Sequence, residues 1–150
     1  MSDGGSRDRA TRPLSPSPRG FHHLALQVRD LGAAERFYRD VLGLPVLRRW
    51  PARDGGPGER SVWLDAGDGG FIALEVVAGG LTAAEDADRA MRPGLHLVAL
   101  RIERAARGSW ERRLAAAGVP VESRSPFTLY VRDPEGNRLG LSHWPDEAGA

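Results

Sequence analysis

Few side chains in this sequence have types suited to chemistry, and the main ones are histidines and one glutamate. His23 lies near the start of the alternating segment FHHLALQV, and Glu75 interrupts the apolar segment FIALEVV. Imidazole and carboxylate groups supply acid–base and metal-binding chemistry when they face a cleft. Because burying an unpaired carboxylate is costly, Glu75 needs a partner or a solvated cleft. The alternatives are a surface histidine at a strand start and an edge-strand glutamate that faces water.

A glycine stands inside the last strand-like segment. In RDPEGNRLGLSHW, residues 132–144, Gly140 lies between Leu139 and Leu141. A glycine in a strand interior lowers stability and marks a close approach or a position that has lost its side chain. His143 lies three residues further on, on the opposite face of a regular strand, and is a poor substitute for a side chain at position 140.

The composition excludes several kinds of chemistry. The chain has no cysteine, and all 21 basic residues are arginine. Disulfides, thiolate nucleophiles, cysteine-bound zinc, Schiff bases and a Walker-type lysine are therefore excluded. The net charge is only +1, and no segment approaches the ~18 apolar residues of a membrane helix. We expect a cytoplasmic protein whose partner is neither nucleic acid nor a membrane.

The elements that must position these residues occur twice in the same order. FHHLALQV predicts a strand, and Asp30 fits the N-cap of the helix LGAAERFYRDVLG, which ends at Gly43. Three strand-like segments follow: PVLRRW, RSVWLDA and GFIALEVV. The second copy has the strand GLHLVALRI, the helix GSWERRLAAAGV and the strands PVESRS, FTLYVRD and NRLGLSHW. This order predicts an α+β fold of two βαβββ modules that pair into a half-barrel cleft.

The boundaries of these modules follow from composition. Residues 1–19 are rich in Arg, Ser, Pro and Gly and predict a disordered tail. One domain, residues 20–144, then contains module 1 (20–79), a polar linker (80–93) and module 2 (94–144), and residues 145–150 form a second disordered tail.

The segments HLALQVRDLGAAERFYRDVLGL, ALEVV, HLVALRI and DPEGNRL together resemble the vicinal oxygen chelate superfamily. That group includes glyoxalase I, methylmalonyl-CoA epimerase, fosfomycin-resistance proteins, extradiol dioxygenases and bleomycin-resistance proteins. The resemblance covers residues 20–144. In metal-dependent members, a divalent ion lies in the cleft and chelates adjacent oxygens of the substrate.

The resemblance implies a metal site with up to four ligands, which this sequence matches unevenly. His23 matches the first position and Glu75 the second. For the third, His96 is the nearby histidine, but aligning VALRI with LALQV places Leu97 opposite His23, so His96 enters the cleft only through a bulge or a register change. The fourth position, a glutamate in metal-binding members, is vacated at Gly140.

Two functions remain open on this resemblance. One is a metal-free pocket that binds a small organic molecule, as in bleomycin-resistance relatives. The other is a metal-dependent lyase, isomerase or dioxygenase that uses Fe, Mn, Zn or Ni, held by His23, Glu75 and His96. The family architecture implies a homodimer. The expected lining of the cleft is Gln27, Trp63, Phe71, Leu97, Arg101, Tyr130 and Trp144.

Overall fold

The computed structural model describes residues 21–77 and 95–144 and confirms the two βαβββ modules. The expected tails and the whole of the expected linker lie outside these residues. Module 1 contains β1 (His23–Val28), α1 (Leu31–Glu35), a π-helical segment (Arg36–Val41), β2 (Val46–Pro51), β3 (Glu59–Gly67) and β4 (Gly70–Val76). Module 2 contains β5 (Val98–Arg101), a 3₁₀ turn (Arg104–Ala106), α2 (Arg107–Ala116), β6 (Ser123–Arg124), β7 (Thr128–Arg132) and β8 (Arg138–Ser142).

Each module folds into its own four-stranded sheet. The strand orders are β1-β4-β3-β2 in sheet 1 and β5-β8-β7-β6 in sheet 2. In each sheet the first strand pairs in parallel with the last, and the other pairs are antiparallel. The Gly-rich segments between β2, β3 and β4 are hairpin connections, as their composition predicts. In the described part of the chain, no helix is long and apolar enough to span a membrane.

The first helix begins as the sequence predicts but ends differently. The Asp30 carboxylate accepts a hydrogen bond from the Ala33 N–H (2.8 Å) and caps α1. From Arg36 the helix widens, and the Leu42 N–H donates to the Phe37 carbonyl (3.0 Å), a spacing of five residues. The adjacent side chains of Phe37 and Tyr38 are both buried there.

Two strands of module 2 are shorter than the sequence pattern predicts. β5 begins only at Val98, because its parallel partner β8 begins at Arg138 and the first pair formed is Val98 with Leu139. His96 therefore precedes the strand, and the alternation that would place it on the core face does not apply. β6 is confined to Ser123 and Arg124, which pair with β7.

One hydrophobic core joins the two modules. It contains residues from the helix-facing sides of both sheets, such as Leu26, Leu74, Leu129 and Leu141. The alternate residues of β1 and β5, including Ala25 and Arg101, are exposed. Each sheet thus has one covered face and one open face.

A buried hydrogen bond fixes module 1 to the DPEGN turn of module 2. The Tyr38 hydroxyl, which is inaccessible to solvent, donates to the Asp133 carboxylate at 2.8 Å. Burial and this carboxylate raise the pKa of Tyr38 well above its usual range. Asp133 also accepts hydrogen bonds from the Glu135 N–H (2.9 Å) and the Asn137 N–H (2.8 Å). One carboxylate therefore orders the turn and holds the first helix.

We predict that Tyr38→Phe lowers the free energy of unfolding by about 1–3 kcal/mol, because it leaves the buried Asp133 carboxylate without one of its donors. Urea denaturation of the purified variant measures the change. Tyr130→Phe is the matched control, since the Tyr130 hydroxyl makes no hydrogen bond within the described residues, and its effect should stay within about 0.5 kcal/mol. Equal stabilities of the two variants would contradict a structural role for the Tyr38–Asp133 bond.

Candidate functional site

The open face of sheet 1 carries half of the ligand and lining residues that the sequence predicts. β1 contributes His23 and Gln27, and the facing positions of β4 contribute Phe71 and Glu75. Trp63 of β3 lies on the same face, paired with Ala73. The alternation of the strands thus places these side chains on one face of the sheet, and their role as the lining of a cleft stays a prediction.

His23 is held by aromatic contacts. Its ring is stacked on Phe71, with centroids 4.8 Å apart and an interplanar angle of 7°. Its Nδ1 lies 2.8 Å from Nδ1 of His22, so one of these two nitrogens donates a hydrogen bond to the other. The side chain of His23 is exposed. Its Nε2 is not engaged by any described residue and is open to solvent or a ligand.

The strand registers show which positions of the two modules correspond. Ala25 of β1 pairs with Ala73 of β4. In module 2, Ala99 corresponds to Ala25 and pairs with Gly140 of β8. Gly140 therefore corresponds to Ala73. In neither module does this position carry a side chain that could bind a metal ion.

Glu75 lies two residues beyond Ala73 along β4. It pairs with Gln27, four residues beyond the His23–Phe71 pair. Four residues correspond to about 13 Å along a strand. Its side chain is exposed, which agrees with a glutamate facing water. The imidazole of His23 and this carboxylate are too far apart to bind one ion at the roughly 2 Å that coordination needs.

His96 is neither in the core nor free for a metal. Its side chain is exposed, and its Nε2 lies 2.7 Å from the Arg138 guanidinium. Because arginine only donates, this nitrogen is the acceptor. The same guanidinium lies 4.6 Å from the centroid of the Tyr130 ring. The sequence suggests either a bulge that brings His96 into the cleft or packing on the helix side. The observed exposed position, bonded to Arg138, is neither.

The residues present therefore do not fit the metal centre that the resemblance implies. Within one copy of the chain, His23, Glu75 and His96 do not come together, and its described ranges contain no cluster of three or more His, Cys, Asp or Glu side chains that could hold a metal ion. His143 is buried and packs against Phe127 on the core side of β8, as the strand alternation predicts.

The space beside Gly140 is filled rather than open. A Cβ atom built at Gly140 would lie 3.0 Å from Cγ2 of Thr128, 3.5 Å from Cβ of Ala99 and 3.7 Å from Cδ1 of Leu97. Thr128 is buried, and its hydroxyl donates to Ser142 at 2.9 Å. Rotating its methyl group away would break that hydrogen bond. The glycine thus permits a close approach between β8 and its neighbours, and Leu97 covers the position.

The remaining lining residues of module 2 form a mixed surface. Arg101 is exposed at the end of β5, where it corresponds to Gln27 in module 1. Trp144 is 62% exposed and packs edge-on against Phe127, with centroids 4.7 Å apart. Of the expected lining residues, only Leu97 and Tyr130 lie directly beside Gly140.

Buried polar atoms without partners mark the face of sheet 1. Within the described residues, four buried side-chain nitrogen or oxygen atoms lack a hydrogen-bond partner, and three lie here: Trp50 Nε1, Ser61 Oγ and Trp63 Nε1. Each such group costs on the order of 1–3 kcal/mol. Ser61 was missed in the sequence analysis, although the alternation of RSVWLDA places it on the same face as Trp63.

The edge strand that carries Trp50 is tied to the first helix by an ion pair. Arg49 donates to the Glu35 carboxylate at 2.6 and 3.0 Å, a bidentate contact. The hydrogen bonds from Arg49 lower the pKa of Glu35, although burial opposes this shift. Because Arg49 points to the helix side, its neighbours Arg48 and Trp50 point to the open face.

Similarity to known proteins shows the family of this chain. The model of the Glyoxalase/Bleomycin resistance protein/Dioxygenase superfamily matches residues 20–141, so the chain belongs to that superfamily. Uncharacterized protein PA2024 of Pseudomonas aeruginosa is 32% identical over 128 residues, which cover 81% of this chain and 86% of the relative.

Solved structures share the fold. A glyoxalase/dioxygenase from Nostoc punctiforme has a TM-score of 0.70 at 18% identity. The match covers 91% of this chain and 100% of that chain. A lactoylglutathione lyase from Agrobacterium tumefaciens has a TM-score of 0.61 at 25% identity, covering 87% of this chain and 100% of that chain. The expected family and fold are thereby confirmed.

We predict that Gly140→Ala lowers the free energy of unfolding by about 1–3 kcal/mol, since the new methyl group would press against Thr128 in a well-packed sheet. Thr128→Ser keeps the hydroxyl and removes the methyl group. In that background the same glycine substitution should cost at least about 1 kcal/mol less. A double-mutant cycle by urea denaturation measures the coupling. Additive effects would contradict the contact between positions 140 and 128.

Proposed function

We propose that this protein binds a small organic molecule on the open faces of its sheets without a metal ion. The observation that carries the proposal is the arrangement around Gly140. Both equivalent positions, Ala73 and Gly140, lack donor atoms, and the one in module 2 is packed by Leu97 and Thr128. His96 is engaged by Arg138. What remains on the open faces is a set of aromatic and polar side chains, which suits an organic ligand.

The second part of the proposal is that two copies of the chain form the binding cleft. The helix-facing sides of both sheets are used in the shared core. β1 and β5 are edge strands, each paired on one side only. Unpaired strand edges next to exposed apolar residues favour association with another strand. Pairing module 1 of one copy with module 2 of another would enclose the two open faces in a cleft.

We predict that protein purified without chelators carries far less than one metal ion per chain. Titration with Fe²⁺, Mn²⁺, Ni²⁺ and Zn²⁺ should give equal thermal shifts for the wild type, His23→Ala and the neighbouring control His22→Ala. Elemental analysis and differential scanning fluorimetry measure both properties. Near-stoichiometric metal that is lost in His23→Ala but kept in His22→Ala would overturn the metal-free proposal and support the metal-dependent lyase, isomerase or dioxygenase.

Screening for ligands tests the proposed small-molecule binding directly. A library of small organic compounds should contain members that raise the melting temperature and quench tryptophan fluorescence. The affinity of these compounds should be at least about tenfold lower for Trp63→Leu, because the Trp63 ring supplies contact area on the open face. Trp110→Phe is the control, since Trp110 lies in α2 and packs against the core. Hits that are insensitive to position 63 would show binding elsewhere, and a library without hits would count against small-molecule binding.

We predict that the purified protein has twice the monomer mass by light scattering at micromolar concentration. Ala99→Lys, which places a charge at the edge strand β5, should weaken self-association about tenfold or more. Ala115→Lys, on the exposed side of α2, should leave it unchanged. A monomer at all concentrations, or equal effects of both variants, would contradict a cleft shared between copies.

A further inference from the structure

A row of aromatic rings crosses the whole open face of sheet 1. His23 of β1 stacks on Phe71 of β4 (4.8 Å between centroids), and Phe71 stacks on Trp63 of β3 (4.5 Å). Trp63 in turn lies 5.1 Å from Trp50 of β2. These separations match the spacing between strands of about 4.8 Å. Every strand of the sheet thus contributes one ring, and the row ends at the edge strand β2.

Unpaired hydrogen-bond donors are concentrated at the β2 end of this row. Trp50 and Ser61 face each other in the β2–β3 register, and the indole N–H groups of Trp50 and Trp63 and the hydroxyl of Ser61 have no partner within the described residues. Ser61 is 1% exposed. An indole N–H can only donate. Since native proteins pair most buried polar groups, this cluster points to an acceptor that comes from outside the chain.

The charges nearby favour an anionic acceptor at that end. The Arg48 guanidinium lies 3.8 Å and that of Arg60 5.3 Å from the Trp50 ring centroid. Among the described residues, neither arginine forms an ion pair. Two carboxylates also border the face. Asp65 accepts a hydrogen bond from the Gly67 N–H (2.8 Å). Glu75 of β4 pairs with Ser61 of β3, on the opposite side of Ser61 from Trp50.

We propose that this face selects flat aromatic anions. The ring of the ligand packs against the row at Trp63 and Phe71, edge-to-face contacts being favourable for aromatic groups. Its carboxylate or phenolate oxygen accepts hydrogen bonds from Trp50, Ser61 and Arg48. Glu75 of β4, which pairs with Ser61, repels a second negative charge, and this restricts the ligand to one anionic group on the β2 side of Ser61. This assignment rests on the metal-free binding proposed above and defines the class of ligand.

Three probes of matched size test the class by calorimetric titration. 2-Naphthoate is flat and anionic, 2-naphthylmethylammonium is flat and cationic, and decahydro-2-naphthoate is anionic and bicyclic but neither flat nor aromatic. We expect 2-naphthoate to bind at least about tenfold more tightly than either of the others. Trp50→Phe keeps a ring and removes the N–H donor, and Arg48→Gln removes the charge. Each should weaken 2-naphthoate binding about fivefold or more, whereas Trp110→Phe in α2 should not.

The stability of the ligand-free variants separates binding from folding. Because the Trp50 N–H has no partner within the described residues, Trp50→Phe removes no hydrogen bond, and the free variant should stay folded with its melting temperature lowered only by the smaller ring. Equal binding of the three probes, with no response to Trp50→Phe, would overturn the aromatic-anion class while leaving small-molecule binding intact. The same holds if 2-naphthoate fails to bind but library compounds still bind in a manner that depends on Trp63. If neither 2-naphthoate nor any library compound binds, both proposals are overturned.

Discussion

The hydrogen bond from Tyr38 to Asp133 determines how the two modules lie together. It is buried, it joins residues 95 positions apart, and its acceptor also orders the DPEGN turn. The next residue but one, Glu135, accepts from the N–H groups of Arg29 and Asp30 at 2.7 and 3.1 Å. Burial opposes ionisation of Glu135, but these bonds and the Arg29 side chain lower its pKa overall. The turn of module 2 thus holds the start of α1.

This connection decides which faces of the sheets remain available for function. Because α1 lies against the turn, the helix-facing sides of both sheets are joined in one core. The open faces of both sheets are consequently left on the outside. They have also become chemically different: sheet 1 presents a row of rings with unpaired donors, whereas sheet 2 presents Leu97, Ala99 and Gly140 around Thr128.

Strand alternation and local motifs predicted the modules, the Asp30 cap and the face on which His23, Gln27 and Trp63 lie. These features depend on residues close in sequence. The relative register of β1 and β4 does not, and it decides that Ala73, not Glu75, corresponds to Gly140. The late start of β5 depends on where β8 begins, and the partner of Tyr38 lies in the other module. Such pairings are set by tertiary packing, which a single sequence does not display.

Gly140 shows why the metal-free interpretation does not depend on a single missing ligand. If only one glutamate were absent, restoring it would rebuild the site. Here the neighbouring residues have adapted: Thr128 occupies the space of a Cβ while its hydroxyl bonds to Ser142, and Leu97 stands at the position corresponding to His23. A glutamate at 140 would meet an apolar wall and would need a partner for its charge. In the cleft proposed between two copies, a surface that excludes a buried carboxylate in this way suits the apolar side of an aromatic ligand.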